Sequence, residues 1–406
     1  MALSVSGFIR PATSVMLSLI PRKNSSMPKT EPSAADWPPS IANWLAFRNG
    51  DAWLGTQEFP LFTDAWITGE IEVGPYQFVN TVAFKSGTAR AAIVLRYAMH
   101  RSWQEPDFQK TNTDLYHGGS PPQELAALAS LATGIRLRAG HSTRLFEPTG
   151  DPLGRPNEMH SRGAPYFEVP DSYILPAAVE PHSLDSLQIL NRLPALIQAD
   201  ARALMRSARL YQDALWLAES APELTWLLLV SALEAAANEW QKEKGDKIAR
   251  LEHSKPELYR FLASLKDCSI LPTVAEHIGD SLGITRKFVE FALKFLPGPP
   301  QLRPLEWAQF KWEPSQLKKA LRTIYGYRSD ALHDGRPFPG PMCEAPARLD
   351  ASWVAPAERM LAEAASQRGG VWLQDDIPMN LHLFEYIARA VLLRWWEACS
   401  HKNHSS

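Results

Sequence analysis

The sequence predicts an α+β protein: a mixed, strand-rich N-terminal domain followed by an all-α helical bundle. Between about residues 41 and 182 short runs rich in β-branched and aromatic residues alternate apolar with polar positions, while from Ser183 onward Leu, Ala and Arg recur at helical spacing. At 406 residues the chain also exceeds one ordinary hydrophobic core, so two domains are expected, 41–182 and 183–406, after a leader at 1–40.

The leader carries Arg10, Arg22, Lys23, Lys29 and several serines with no acid before Glu31, a composition that loosely fits an organellar transit peptide. Pro11 and Pro21 interrupt it and no small-residue cleavage motif follows an apolar core, so a disordered leader, or a start at Met27, is expected instead. Pro28 to Ser40 reads as a linker. Ala65 to Val73 alternates as a half-buried strand should, Gly74-Pro75 makes a turn, and Tyr76 to Phe84 and Ala91 to Tyr97 continue the strands. Ser120-Pro-Pro opens a helix over Gln123 to Thr133 that Gly134 closes. Ile135 to Ala139 and Thr143 to Phe146 are extended, and the Pro- and Gly-rich stretch from Pro148 to Pro181 is mostly loop.

In the second half helices are predicted over 186–218, 223–243, 257–267, 285–296, 315–333, 354–367 and 379–400, with no strand among them. Pro222, Gly245, Pro256, Pro272, Pro297-Gly-Pro-Pro and Gly335 supply the breaks. Trp44, Trp53, Trp66 and Trp395-Trp396 fall in apolar patterns and are expected in the core, with a Trp-lined ligand surface as the alternative.

Composition excludes several function classes. A formal net charge of −2 leaves no global nucleic-acid footprint, so any RNA contact is local. Cys268, Cys343 and Cys399 lie far apart without ligand spacing, so neither a zinc site nor a disulfide framework is supported and reduced, cytoplasmic thiols are expected. No apolar run approaches bilayer length, and no Walker, Rossmann or Gly-x-Ser-x-Gly motif occurs. No cofactor or metal is expected. His117-Gly118-Gly119 is read as a turn, and Lys242, Lys244, Lys247 and Arg250 as a solvated face.

Two charges of opposite sign break this pattern. Trp226, Val230, Leu233 and Ala237 form an apolar stripe with Glu234 on or beside it, and Arg328 lies four residues beyond Ile324 on the apolar face of the 315–333 helix. An unpartnered buried ion is expensive, so Glu234 and Arg328 are expected to meet. The pair reads either as a structural bridge or as a carboxylate holding a guanidinium fork toward a phosphate. His333 could supply general acid–base chemistry on an RNA 2′-hydroxyl. Five residues along a helix turn the side chains about 140° apart, so convergence needs the reach of Arg, the helix end at Asp334-Gly335, or a partner subunit. Ser329, one turn before His333, could orient its ring.

Bare Arg-x4-His spacing occurs at Arg136–His141, Arg155–His160 and Arg328–His333, and a looser match joins Arg394 to His401. Context separates them. The run from Ile324 to Gly335, Ile-Tyr-Gly-Tyr-Arg-Ser-Asp-Ala-Leu-His-Asp-Gly, resembles the signature of the Apea-like HEPN family, a Tyr-x-x-Arg-Ser-x-x-x-His-Gly type sequence at a helix end. Leu227 to Ala235 is similar to the earlier HEPN helix that carries an acid. His117-Gly-Gly, Glu124 to Ala132 and Gly134 to Gly140 resemble the region preceding HEPN in bacterial members.

The resemblance covers roughly 200–400. It implies a helical, often dimeric domain that frequently cleaves RNA without metal, with Arg328 on phosphate, His333 as acid/base and Glu234 holding Arg328. Ser329 stands where many active relatives have Asn, Asp or His, and Asp334 intervenes before Gly335. The expected function is a metal-independent endoribonuclease in antiphage or stress defence, acting on tRNA or other structured RNA as a homodimer away from membranes. Its N-terminal domain would be a sensing or regulatory unit for a ligand the residues do not name. The alternative is a non-catalytic HEPN-like binding or dimerisation module.

Overall fold

Strand β1 (Gly55–Thr63) runs antiparallel to β5 (Arg90–Met99) along its whole length, with a register shift between Leu61 and Phe62. These belong to a computed structural model that describes residues 37–81, 89–101, 109, 111–113, 115–157, 164–166, 169–241, 247–265, 267–278, 283–348 and 355–402. Around the β1–β5 pair are β3 (Ile71–Val73), β4 (Tyr76–Asn80), β6 (Arg138–Ala139), β7 (Arg144–Phe146) and β8 (Arg155–Pro156). The seven strands run β3-β4-β5-β1-β7-β8, with β6 also on β1. Phe59, Leu61, Phe78, Ile93 and Leu95 supply its buried positions. The architecture is α+β: this antiparallel sheet, then a predominantly helical second half.

The expected strand from Ala65 to Val73 is two. Gly69, at φ +80°, turns the chain between β2 (Trp66–Thr68) and β3, and β2 leaves the main sheet to pair in parallel with β9 (Pro181–Ser183). Residues 82–84, expected to extend β4, lie outside the described residues. Helix α1 (Pro39–Arg48) forms where a linker was expected to end, started by Pro at its first turn. Its Trp44 meets Tyr76 edge-on at 5.5 Å, and Asn43 donates to the Ala98 carbonyl at 2.9 Å.

Helix α2 (Pro121–Thr133) has a capping box at Ser120 and Gln123 and ends at Gly134, φ +82°. Its last carbonyls are not left open: Arg389 donates from Nε to Leu131 at 3.0 Å and from Nη2 to Ala132 at 2.5 Å. The expected helix over 186–218 divides. Residues Leu184–Ala195 form a 3-10 helix with Leu184, Leu187, Leu190 and Leu193 buried, an every-third-residue stripe that matches three residues per turn. Helix α3 (Gln198–Leu217) follows and pairs with α4 (Pro222–Trp240).

Helices α5 (Lys247–Ser254), α6 (Pro256–Ala263) and α7 (Ile270–Ile278) enclose a small core of Leu251, Leu262 and Ala275. Of these only α6 was expected: Gly245 and Pro256 read as breaks around α5, and Pro272 as a break within α7, where it sits in the first turn and its missing N–H costs nothing. Helix α8 (Ile284–Lys294) packs on α4 and on α9 (Pro314–His333), with Phe288 and Tyr325 rings 5.3 Å apart. The helix expected over 354–367 does not form. Within its described part, β10 (Ala364–Gln367) pairs instead with β11 (Gly370–Leu373) across Arg368 and Gly369, at φ +51° and +86°. Two consecutive positive φ values give the turn that suits a two-residue hairpin. Helix α10 (Leu381–Lys402) closes the fold.

One hydrophobic cluster runs from Ile41 through Leu125, Trp226 and Ile324 to Cys399. Trp44, Trp395 and Trp396 are buried in it as expected, whereas Trp53 and Trp66 stand 42% and 45% exposed and are not core. Among the described residues no helix is long and apolar enough to cross a membrane.

Candidate functional site

The buried stripe of α4, with Trp226, Val230, Leu233 and Ala237, holds that helix against its neighbours and leaves Glu234 at the stripe's edge. On α9, Leu317, Leu321 and Ile324 do the same and bring Tyr325 and Arg328 to Glu234. Arg328 donates from Nη2 to Glu234 Oε2 at 2.8 Å, and the Tyr325 hydroxyl donates to Oε1 at 2.7 Å. The carboxylate is therefore shared between two donors one turn apart. The Arg328 guanidinium also lies 5.4 Å from the Tyr325 ring centroid, within cation–π range.

The site is shielded but not sealed, with Glu234 and Arg328 side chains 12% and 20% exposed. Burial, then the hydrogen bond to Glu234, raises the Tyr325 pKa well above that of an ordinary phenol. Tyr325 thus stays a proton donor at neutral pH and is no general base. Arg328 Nε is buried with no hydrogen-bond partner. The guanidinium is thus anchored at one nitrogen and retains unmet donor capacity, which suits an oxyanion.

His333 is the last residue of α9 and is exposed. Asp334 caps the helix through its N–H to the Asp330 carbonyl at 2.9 Å, and Gly335 turns away at φ +65°. Asp334 also pairs with Arg336 at 2.5 Å. Among the described residues no hydrogen bond joins Ser329 to His333, so the orienting contact their spacing permits is not made. The structure brings Glu234, Tyr325 and Arg328 together; His333 and Ser329 are not tied to them.

Tyr325 is the member the residue pattern left without a role. Its signal was present: it precedes Arg328 by three positions, so both side chains rise on one helix face.

The other Arg–His pairs are occupied elsewhere. Arg136 is fully buried, donating to Asp64 Oδ2 at 2.7 Å, Glu219 Oε1 at 2.6 Å and the Leu215 carbonyl at 2.8 Å. Arg155 pairs with Asp151 at 3.1 Å, while His160 lies outside the described residues. Arg394 donates to the Leu296 carbonyl at 2.6 Å, and His401 meets Arg192 at 3.0 Å.

At the His117-Gly118-Gly119 bend, His117 Nδ1 lies 2.6 Å from the buried Glu124, whose other oxygen accepts from the Ser40 N–H at 2.7 Å. That loop anchors the start of α2 to α1. In the basic run, Lys247 pairs with Glu276 at 2.8 Å; residues 242–246 lie outside the described residues. The cysteines are free, and burial pushes the Cys343 thiol up to about 12. Among the described residues no group of His, Cys, Asp and Glu is arranged to hold a metal. No family model matches the chain, and no curated protein or solved structure is detectably similar to it.

Proposed function

We propose that the chain is a HEPN-type, metal-independent endoribonuclease acting as a homodimer on tRNA or another structured RNA. The observation that carries this reading is the half-used guanidinium of Arg328, fixed by Glu234 at one nitrogen and holding unmet donor capacity beside the end of α9. Arg328 would bind the scissile phosphate. His333, exposed and untethered, would take the proton of the 2′-hydroxyl as its oxygen attacks phosphorus, or protonate the departing 5′-oxygen. Loss of that oxygen leaves a 2′,3′-cyclic phosphate and a 5′-hydroxyl. Because His333 is not held beside Arg328 within one chain, the second copy or the RNA brings the two functions to one phosphate. The setting we assign is antiphage or stress defence in the cytoplasm.

A second reading, a non-catalytic HEPN-like binding or dimerisation module, draws on the same carboxylate. Glu234 already ties α4 to α9 through Tyr325 and Arg328, as a purely structural bridge would. Incubating total RNA and tRNA in EDTA with wild type, Arg328→Ala and His333→Ala, followed by end-group mapping, separates the two. Cleavage by wild type alone, leaving cyclic phosphate ends, supports the nuclease. Equal cleavage by all three removes Arg328 and His333 from the reaction, and no cleavage by wild type favours the binding module.

A further inference from the structure

A different face of α9 borders a cavity of about 320 Å³, closed on its far side by the chain that enters α10. Gln316, Lys319 and Thr323 rise along α9 at spacings of three and four, so they share one face of the helix. Lys311, Arg359 and Gln374 complete a polar rim, over a floor that includes Ala320 and Ile377. Tyr327 continues the same face and donates to the Asp376 carbonyl at 2.8 Å, fixing the adjoining turn.

The charges here do not cancel. Three cations line the cavity against one carboxylate, Asp375, and none of the three makes an ion pair among the described residues. Glu358, next to Arg359 in the chain, is already used by Arg303 at 2.8 Å and the Phe310 N–H at 2.7 Å. Arg359 Nε is buried without a hydrogen-bond partner, and its Nη2 reaches Gln374 Oε1 only at 3.5 Å. A shielded guanidinium with an unmet donor is costly in the empty protein and becomes favourable when an anion supplies the acceptor.

We infer that this cavity binds a phosphorylated sugar. Arg359, Lys319 and Lys311 hold the phosphate. The Gln316 amide as donor and acceptor, and the Thr323 hydroxyl oxygen and the Asp375 carboxylate as acceptors, match sugar hydroxyls, while the Gln374 amide is held by the Met360 and Leu361 carbonyls and shapes the wall. The volume lies at the small end of the range for ligand sites and leaves room beyond a phosphate group. A nucleobase is disfavoured, because the one aromatic lining residue, Phe310, is only 8% exposed and offers no face for stacking. The inference is independent of the nuclease reading: Arg328 pairs with Glu234 on α4 and does not line this cavity.

The test is calorimetric titration of the full chain with ribose 5-phosphate and glucose 6-phosphate, with inorganic phosphate, glucose and AMP as parallel arms. A sugar phosphate binds more tightly than phosphate, glucose or AMP, and Lys319→Glu weakens it by about tenfold or more while leaving the melting temperature unchanged. Arg359→Gln weakens it similarly, and Arg328→Ala leaves it unaltered. Absence of sugar-phosphate binding at about 10 mM overturns the inference. So does AMP or inorganic phosphate binding as tightly as the sugar phosphates, or a folded Lys319→Glu that binds like wild type.

Discussion

Sharing one carboxylate between two donors makes the α4–α9 bridge asymmetric, and the asymmetry is measurable. In Glu234→Ala both the Tyr325 hydroxyl and the Arg328 guanidinium lose their acceptor. Each partly buried group left unsatisfied costs about 1–3 kcal/mol, and access to water reduces the Arg328 share, so the loss is about 2–4 kcal/mol. Arg328→Ala removes one donor but leaves Tyr325 on Oε1, at about 1–2 kcal/mol. Glu234→Gln keeps an acceptor for Tyr325 and loses the charge facing Arg328, so it should resemble Arg328→Ala rather than Glu234→Ala. Urea unfolding with the denaturant slope held common across variants gives the ordering directly. If Arg328→Ala costs as much as Glu234→Ala, or if Glu234→Gln costs as much as the alanine variant, the sharing is not energetically real. Coupled to the RNA assay, a mild stability loss in Arg328→Ala makes any loss of cleavage a statement about chemistry rather than unfolding.

Arg136→Met strands Asp64 and Glu219 in the core and should cost about 3–5 kcal/mol by chemical denaturation; a loss below about 1 kcal/mol would contradict the buried triad. Gly74→Ala forces a side chain into φ +56° with its Cβ on the Trp44 indole, costing about 2–4 kcal/mol, and an unchanged melting temperature would refute that packing. Burial, then Arg348, lowers the His382 pKa to about 4, so the native state holds it neutral where the unfolded chain is protonated. Its contribution, at most about 3 kcal/mol, is complete above about pH 6.5 and lost as pH falls toward 4. The difference between wild type and His382→Gln should therefore shrink over that window, and a constant difference would show that His382 does not titrate as described.

The helices that carry the site were legible because their signals are local. The apolar stripes of α4 and α9, the proline at each start and the Asp334-Gly335 stop are all written within one turn of the residues they govern. The meeting of Glu234 with Arg328 followed from the cost of burying either charge alone. The Leu184–Leu193 stripe was read as α-helical because its spacing of three fits either helix type over a short run. The β10–β11 hairpin was missed because its apolar content also suits a helix, although Gly369-Gly370 marked the turn.

By itself, the sequence determined the α+β class, strands β4 and β5, helices α2, α4, α6, α8, α9 and α10, and that two opposite charges lie on core-facing helix faces; β1, α1, α5, α7 and the β10–β11 hairpin were not legible in it. Only the tertiary structure decided that Tyr325 shares the Glu234 carboxylate, that His333 is left untethered, that Arg136 is consumed by Asp64 and Glu219, and that three cations line a cavity against the single carboxylate of Asp375. The first set depends on periodicity and capping along one stretch of chain. The second depends on which distant faces pack together, and a side chain's partners are set by that packing rather than by its neighbours in sequence.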